Sequence, residues 1–441
     1  MSPIRVLGPL DRNLAWDGKR LCGATDFAVG AIPPYDLRGA ATSVRAGPGG
    51  RWRILRDPLG LNKLFWAQAG DGCIHVAARL RTLVEAGHSL DDISAIPRGC
   101  VVDVEAGGGK PVADSIIPGS WFSPHGGHTL EVEEAGREIR STLERYLAAI
   151  AVANPSAPVF VCLSGGLDSS GIAAIAREHF PTVTAVSFDL ARPGKRPSQD
   201  RVVAQRLARD LGMPLLEATV NEDELFANID TVLVEGIDWR DFNVHAALVN
   251  AALAATINDS LRPGDPGSAL VLTGDLANEF LVDYHPERYG ATTYYELPRL
   301  STVALRTSLV RGLDTCHREI GVFAAWGLSV VQPYAVAADA YLALDAGLLE
   351  REDRKQRLCR EVFGSLLPDY VYSRPKTRAQ VGDSNLDGGV LAACVDRGFD
   401  GAWLRQRFAR LHAVSDASTL ARFIRAGRYR VAVPSLLSEV Q

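Results

Sequence analysis

VFVCLSGGLDSSGIAAIA, from Val159 to Ala176, starts as an apolar β-like run, breaks at Ser-Gly-Gly and resumes with helical spacing. A buried strand that ends this way and feeds a helix N-terminus makes an anion cradle. Gly165 and Gly166 let backbone N–H groups turn inward without a Cβ clash. The helix dipole and its free N–H groups favour phosphate. Ser164, Ser169 and Ser170 add hydroxyl donors. Asp168 is the odd member, because a carboxylate repels phosphate unless a cation lies between them. That points to Mg2+ bridging Asp168 to a pyrophosphate. The string is not a Walker A loop, since no Gly-Lys-Ser/Thr follows.

The surrounding pattern alternates. Strand-like runs at 158–163 and 182–188 are followed by helical patterns from Asp168 and at 198–212, the run at 214–220 precedes helical patterns around 222–235 and at 242–257, and a fourth run at 269–273 ends in a Gly-Asp turn. This predicts an α/β fold with a doubly wound parallel sheet, whose ligands bind beyond the carboxyl ends of the strands. Ser164–Ser170 and Thr273–Glu279 both fall at that edge. From residue 300 the pattern is mostly helical. Residues 1–118 read instead as β-rich, with short runs such as RWRIL, LFWAQA and GCVVDVEA between Gly/Pro/Asp turns. A Gly/Pro/His-rich stretch at 119–130 is the expected linker, and 131–441 the second domain.

Composition narrows the classes. The chain has 441 residues, 47% hydrophobic and 22% charged, with a net charge of −5. That gives no general pull toward nucleic acid or an anionic membrane. No apolar run reaches the length of a membrane span, and the start MSPIRVLGPLDRN has no apolar secretion signal, so a cytoplasmic location is expected. The seven cysteines are scattered, odd in number and never at C-x-x-C spacing. They read as small buried hydrophobes, not as a disulfide framework or zinc site. Only six lysines occur: Lys19, Lys63, Lys110, Lys195, Lys355 and Lys376. A lysine in a pocket is therefore seldom incidental.

SGGLDSS resembles the loop of the ATP-pyrophosphatase superfamily, whose members cleave ATP between its α and β phosphates to adenylate a substrate. The resemblance places Val186 and Ser187, on the strand after the loop, beside the adenosine. A second string, ILRDPLGLNKLFWAQAGDGCIHVAARLRTLVEAG (Ile54–Gly87), resembles the N-terminal domain of asparagine synthetases and their relatives. The implied fold is an N-terminal Ntn-hydrolase-like αββα domain followed by the pyrophosphatase domain. Glutamine-dependent members begin Met-Cys, whereas position 2 here is Ser2. The strings R-L-S-I-x-D and N-G-E-x-Y-N are also missing. The domain is therefore expected to be a shortened, inactive glutaminase kept as scaffold, with RDPLG structural, its Pro and Gly fixing a turn and its Arg-Asp pair holding it.

Four further strings resemble the rest of that site. LVLTGDLANEFLVDYH (Leu270–His285) resembles S-G-x-G-x-D-E-L-F-x-G-Y. By that match Thr273 and Gly274 touch the nucleotide, and Asn278 replaces a metal-binding Asp. Asp275 and Glu279 are acid/base or substrate-contact candidates. VEGIDWRDFNVHAALVNAAL (Val234–Leu253) resembles the acyl-pocket segment, with Glu235, Asp238 and His245 as candidates. WGLSVVQPYAV (Trp326–Val336) resembles G-x-E-x-R-x-P-F-L-D, with Ser329, Val331 and Val336 replacing its Glu, Arg and Asp. LLPDYVYSRPKTRAQVGD (Leu366–Asp383) resembles L-P-x-x-[IV]-x-x-R-x-K-x-[GQ]-x. Lys376 falls on the lysine that stabilises negative charge as an amine attacks an acyl-adenylate. Arg374 and Arg378 are pyrophosphate candidates.

The expected protein is a synthetase dependent on ATP and Mg2+ that adenylates a carboxylate and joins it to an amine without hydrolysing glutamine, in a natural-product setting. Its partners would be a small-molecule or peptide carboxylate and an amine, with no nucleic acid and no membrane, and a homodimer as the candidate assembly. The alternatives are a lactam or lasso-type peptide cyclase, and a non-catalytic partner protein. An enzyme that adenylates tRNA would carry basic patches and paired cysteines, and neither is present.

Overall fold

The structure is a computed structural model. It describes residues 4–22, 38–47, 50–104, 112–116, 129–194, 196–262, 269–314, 317–378, 380–381 and 389–414. Ser2, Lys110, Lys195, Cys316 and the expected linker up to residue 128 lie outside the described residues. Two compact units are present. No helix among the described residues is long and apolar enough to cross a membrane.

The first unit comprises described residues up to 127, the segment Arg311–His317, and those from Phe408. It holds two four-stranded sheets. One is antiparallel and runs in the order Thr42–Ala46, Trp52–Arg56, Cys100–Val104, Val112–Ile116. The other runs Ile4–Val6, Ile74–Ala77, Phe65–Gln68, Ser94–Ala95. Strand period decides which residues meet. Ile54, Val102 and Val104 of one sheet share an apolar cluster with Leu64, Trp66, Ile74 and Val76 of the other side. Leu55 and Val101, one residue out of phase, join a second cluster with Ala15, Cys22 and Ala41.

RDPLG is built into this unit as expected, but Arg56 and Asp57 act through backbone bonds. Buried Arg56 donates to the carbonyls of Asn62 (2.9 Å), Gly60 (2.9 Å) and Ile96 (2.5 Å). Asp57 accepts from the N–H groups of Leu61 (2.9 Å) and Asn62 (3.1 Å). Gly60 has φ +69, and a Cβ there would meet Asp314 Oδ1 at 2.7 Å. Asp314 ion-pairs with Arg56, and His317 Nε2 lies 3.3 Å from buried Asp11. These pairs explain why Arg311–His317 belongs to this unit. A division by single cuts, as 1–118 and 131–441, does not describe such interleaved segments.

The second unit carries the parallel sheet. Its strands are β1 (Val159–Cys162), β2 (Thr184–Leu190), β3 (Leu215–Val220), β4 (Leu270–Leu272) and β5 (Ser329–Val331), in the order β3-β2-β1-β4-β5. All neighbours are parallel, as βα alternation requires. The sequence reading located the first four and did not name β5. The order reverses between β1 and β4, which opens a crevice at their carboxyl ends. Four helices shape it: α1 (Leu167–His179), α2 (Gln199–Asp210), α3 (Asp241–Ser260) and α4 (Arg354–Phe363). Gly171 lets α1 press onto α4, since a Cβ there would lie 2.1 Å from the ring of Phe363.

Candidate active site

The crevice is a cleft of about 320 Å³. Its floor is the loop between β1 and α1. Gly165 has φ +72, which admits glycine readily, and a Cβ there would meet Val203 Cγ1 at 2.6 Å. Ser164 and Ser169 lock the loop through their hydroxyls, 3.1 Å apart, and Ser169 Oγ also accepts from Ser164 N at 3.2 Å. Gly166 caps α1, so the first-turn N–H groups face the cleft without intrahelical partners. Ser170 departs from expectation. It is fully buried and does not line the cleft; its N–H bonds Gly166 O at 3.0 Å. Adjacent helical residues point about 100° apart, so only Ser169 of the pair faces the opening.

The end of β4 closes on this loop. A Cβ on Gly274 would lie 2.7 Å from Ser169 N, so backbone packs directly on backbone. Thr273 N donates to Val331 O of β5 at 3.0 Å. Val186 and Ser187 line the cleft from β2, with Ser187 Oγ buried and unpartnered among the described residues. Beyond Gly274 the backbone is forced. Leu276 (φ 84) and Val282 (φ 53) hold left-handed conformations that disfavour branched side chains, at a cost of about 1–3 kcal/mol each. The return is a short turn that presents Asp275, Asn278, Glu279 and Asp283 to one cleft.

The charges there form one cluster. Lys355 on α4, which sequence reasoning passed over, places Nζ 2.5 Å from Asp168 Oδ2, 2.7 Å from Asn278 Oδ1 and 2.9 Å from Asp283 Oδ2. Lys376 Nζ donates to Asn278 Oδ1 at 3.0 Å and to Asp283 Oδ2 at 2.7 Å. Burial favours neutral Lys355, but Asp168 and Asp283 more than offset this and hold it charged. Lys376 goes the other way: burial and the nearby Lys355 charge push it down to about 8. Asp283 resists its burial because both ammonium groups hold its carboxyl well below the usual range.

A second acid pair faces the same space. Burial, reinforced by Glu319, raises Asp275 to about 7, with Arg318 3.4 Å away. Tyr284 donates to Glu279 Oε1 at 2.6 Å, and burial holds its phenol protonated. Phe242, Ala246, Val249, Asn250 and Leu253 of α3 form an opposing wall at helical spacing. His245 is off that face. It bonds Tyr295 Oη at 2.7 Å, and burial pushes it down to about 4, so it is neutral. Asp238 is taken up locally by Arg240 and Asn243. Arg374 is likewise occupied: it holds Ser164 O at 2.9 Å and pairs with buried Asp200.

Residues 138–318 match the asparagine synthase family. That segment of the chain is similar to an asparagine synthase domain. A carboxyethyl-arginine β-lactam-synthase from Streptomyces clavuligerus is 27% identical over 290 residues, which cover 65% of this chain and 51% of that protein. The match thus spans about half of that relative's length. Among solved structures, an NMN synthetase from Francisella tularensis has a TM-score of 0.31 and 13% identity, covering 66% of this chain and 91% of its own. An NH3-dependent NAD synthetase from Campylobacter jejuni has a TM-score of 0.30 and 13% identity, covering 65% of this chain and 91% of its own. The asparagine synthase-type segment contains the SGGLDSS loop and the Asp275–Asp283 turn. Lys355 and Lys376 follow it in sequence and complete the same cleft.

Proposed function

We propose that this protein is an ATP-dependent ligase that adenylates a carboxylate and passes the acyl group to an amine. One observation carries the reading: a glycine-rich loop, two lysines and a carboxyl poised near neutrality meet at the crevice between β1 and β4. The substrate carboxylate attacks the α-phosphorus and the bond to pyrophosphate breaks. The amine nitrogen then attacks the acyl carbon and the bond to AMP breaks. The α1 N-terminus and Ser164–Ser169 bind phosphate, while Val186, Ser187, Thr273 and Gly274 line the nucleoside side. Lys376 meets the charge that grows on the carbonyl oxygen in the second step. Asp275 takes the amine proton, with a pKa suited to general base work near neutral pH.

The residues also fit Mg2+. Asp168, Asn278 and Asp283 supply three hard oxygen donors around one cationic point, now held by Lys355. No group of three or more His, Cys, Asp or Glu among the described residues is arranged to hold a metal. Asp168, with Asn278 and Asp283 oxygens, would hold the ion and nucleotide phosphates would complete it. When bound, it neutralises charge on the departing pyrophosphate.

The N-terminal unit fits the reading of a shortened glutaminase-like scaffold, because its RDPLG loop is spent on internal bonds. The β-lactam-synthase relative supports a second reading, in which the amine and the carboxylate belong to one substrate and a ring closes. The test is carboxylate-dependent ATP–pyrophosphate exchange. Asp168→Ala is expected to abolish exchange; Lys376→Ala is expected to keep exchange and lose amide formation. Exchange that survives Asp168→Ala undiminished would sink the proposal.

A further inference from the structure

We propose that His75 and His88 form a divalent-metal site in the N-terminal unit, one that takes Cu2+ or Ni2+ on imidazole nitrogen and refuses Mg2+. Neither histidine lines the cleft, and the site rests on no part of the adenylation reading. His75 Nδ1 and His88 Nε2 are 2.9 Å apart, with the rings nearly perpendicular. Two neutral imidazoles this close share one proton, because one nitrogen must donate and the other accept. That proton sits where two ring nitrogens converge, and a metal ion takes the same nitrogens in its place. Two nitrogens each about 2.0–2.1 Å from one ion are about 2.9 Å apart at a right angle and about 3.3 Å apart at the tetrahedral angle. The observed spacing fits the edge of a square or octahedral site, which Cu2+ and Ni2+ favour over tetrahedral Zn2+. The rings need only tilt toward a common ion, while the backbone stays in place.

That backbone is held on both sides. His75 lies in the strand Ile74–Ala77, paired with Arg5 on one neighbour and Ala67 on the other. His88 follows the helix Leu80–Glu85. Gly87 (φ +90) takes the left-handed position after the helix, and the N–H groups of Gly87 and His88 donate to Val84 O at 3.0 Å and Leu83 O at 3.1 Å. Those two bonds are the Schellman close of a helix, and they fix residue 88 beside the strand. Ligands carried on such regular elements are placed more precisely than ligands on loops. Both histidines are half-buried, and a Cβ on Gly87 would meet nothing within 4 Å, so an ion has a way in.

The surroundings set the class of metal. Partial burial, with His88 and Arg5 nearby, holds His75 below the ordinary histidine range, so its ring is neutral at neutral pH, as a metal ligand must be. Arg5 opposes an arriving cation and Asp71 draws one. No third His, Cys, Asp or Glu among the described residues completes the group, so water fills the remaining positions. Two imidazoles without a carboxylate suit a borderline transition metal and leave Mg2+, which takes oxygen, without a ligand.

The experiment titrates NiCl2, CuCl2 and MgCl2 separately into the full chain, free of any histidine tag, and follows binding by calorimetry. Wild type is compared with His75→Gln and His88→Gln. Wild type should bind Cu2+ more tightly than Ni2+. Either substitution should weaken Ni2+ binding by roughly tenfold or more. The Mg2+ response should be the same in all three proteins. Electron paramagnetic resonance at one equivalent of Cu2+ should show two imidazole nitrogens on the metal in wild type and one fewer in each variant. Ni2+ affinity unchanged by both substitutions would overturn the proposal and mark any binding as an adventitious ion only. A Cu2+ spectrum that keeps both nitrogens in the variants would overturn it too, as would a Mg2+ response that depends on either histidine. Should neither variant fold, the wild-type Cu2+ spectrum decides, with two imidazole nitrogens supporting the site and fewer refuting it.

Discussion

Lys355→Met tests whether the ammonium at the centre of the cleft occupies a position that Asp168, Asn278 and Asp283 could also offer to a divalent cation. The side chains of Lys355, Asp168 and Asp283 are 9%, 14% and 12% exposed, so their charges are poorly screened. Removing one partner of a buried ion pair costs about 3–5 kcal/mol. The lower end applies, because Lys376 stays on Asp283 while Asp168 loses its cation. At about 2–4 °C per kcal/mol for domains of 150–250 residues, and at the lower end for this larger unit, the melting temperature should fall by roughly 6 °C. The loss should hold across neutral pH. Lys355 is shifted up, so its contribution is present below its unfolded pKa and fades only as pH rises through its folded one, on the alkaline side. Asp283 is shifted down, so its contribution is present above its unfolded pKa and fades only as pH falls through its folded one. Thermal melting with and without millimolar Mg2+ is the assay. The variant should recover several degrees with Mg2+ that wild type does not gain, since Asp168 has then lost its ammonium partner and Asn278 and Asp283 keep only Lys376. An unchanged melting temperature, or equal Mg2+ response in both proteins, would refute the reasoning.

Three other outcomes are expected. Amide formation should rise with pH through about 7 as Asp275 loses its proton, and fall through about 8 as Lys376 loses its own, giving a narrow bell in kcat/KM; a flat profile over pH 6–9 would remove both assignments. Gly274→Ala should weaken ATP binding at least tenfold with little loss of the fold, because the new Cβ meets Ser169 N at 2.7 Å and displaces the phosphate loop; nucleotide titration checks this. Arg56→Met should destabilise the N-terminal unit by about 3 kcal/mol or more, since it strands Asp314 and three carbonyls; limited proteolysis should show earlier cutting there.

The parallel sheet and the phosphate loop were legible in the sequence because their signals are local. Gly165 and Gly166 stand where a strand ends, and apolar runs alternate with helical ones. Lys355 was hidden in RKQRLCREVF, which reads as a basic surface helix. Its burial follows a signal that was present: Leu358, Cys359 and Val362 stand three, four and seven residues on, so the lysine sits on the apolar stripe. Asp283 gives no such sign, because its place depends on left-handed Leu276 and Val282, a conformation their residue types disfavour. The same holds for Arg374, whose loop contact is set by pairing over a long sequence distance with Asp200. Sequence pattern located the chemistry, whereas the wiring between charges needed the fold.

The segment Arg311–His317 gives the chain a property that matters to anyone cutting or recombining it. An expression fragment ending near residue 127 would contain Arg56 and Asp11 without Asp314 and His317. It would leave one buried guanidinium and one buried carboxylate without these partners. Conversely, a fragment starting near residue 128 would carry an orphan peptide in its middle. Exchange of the first unit between related proteins by a single crossover would break the same pairs, so the two halves are bound to be inherited together.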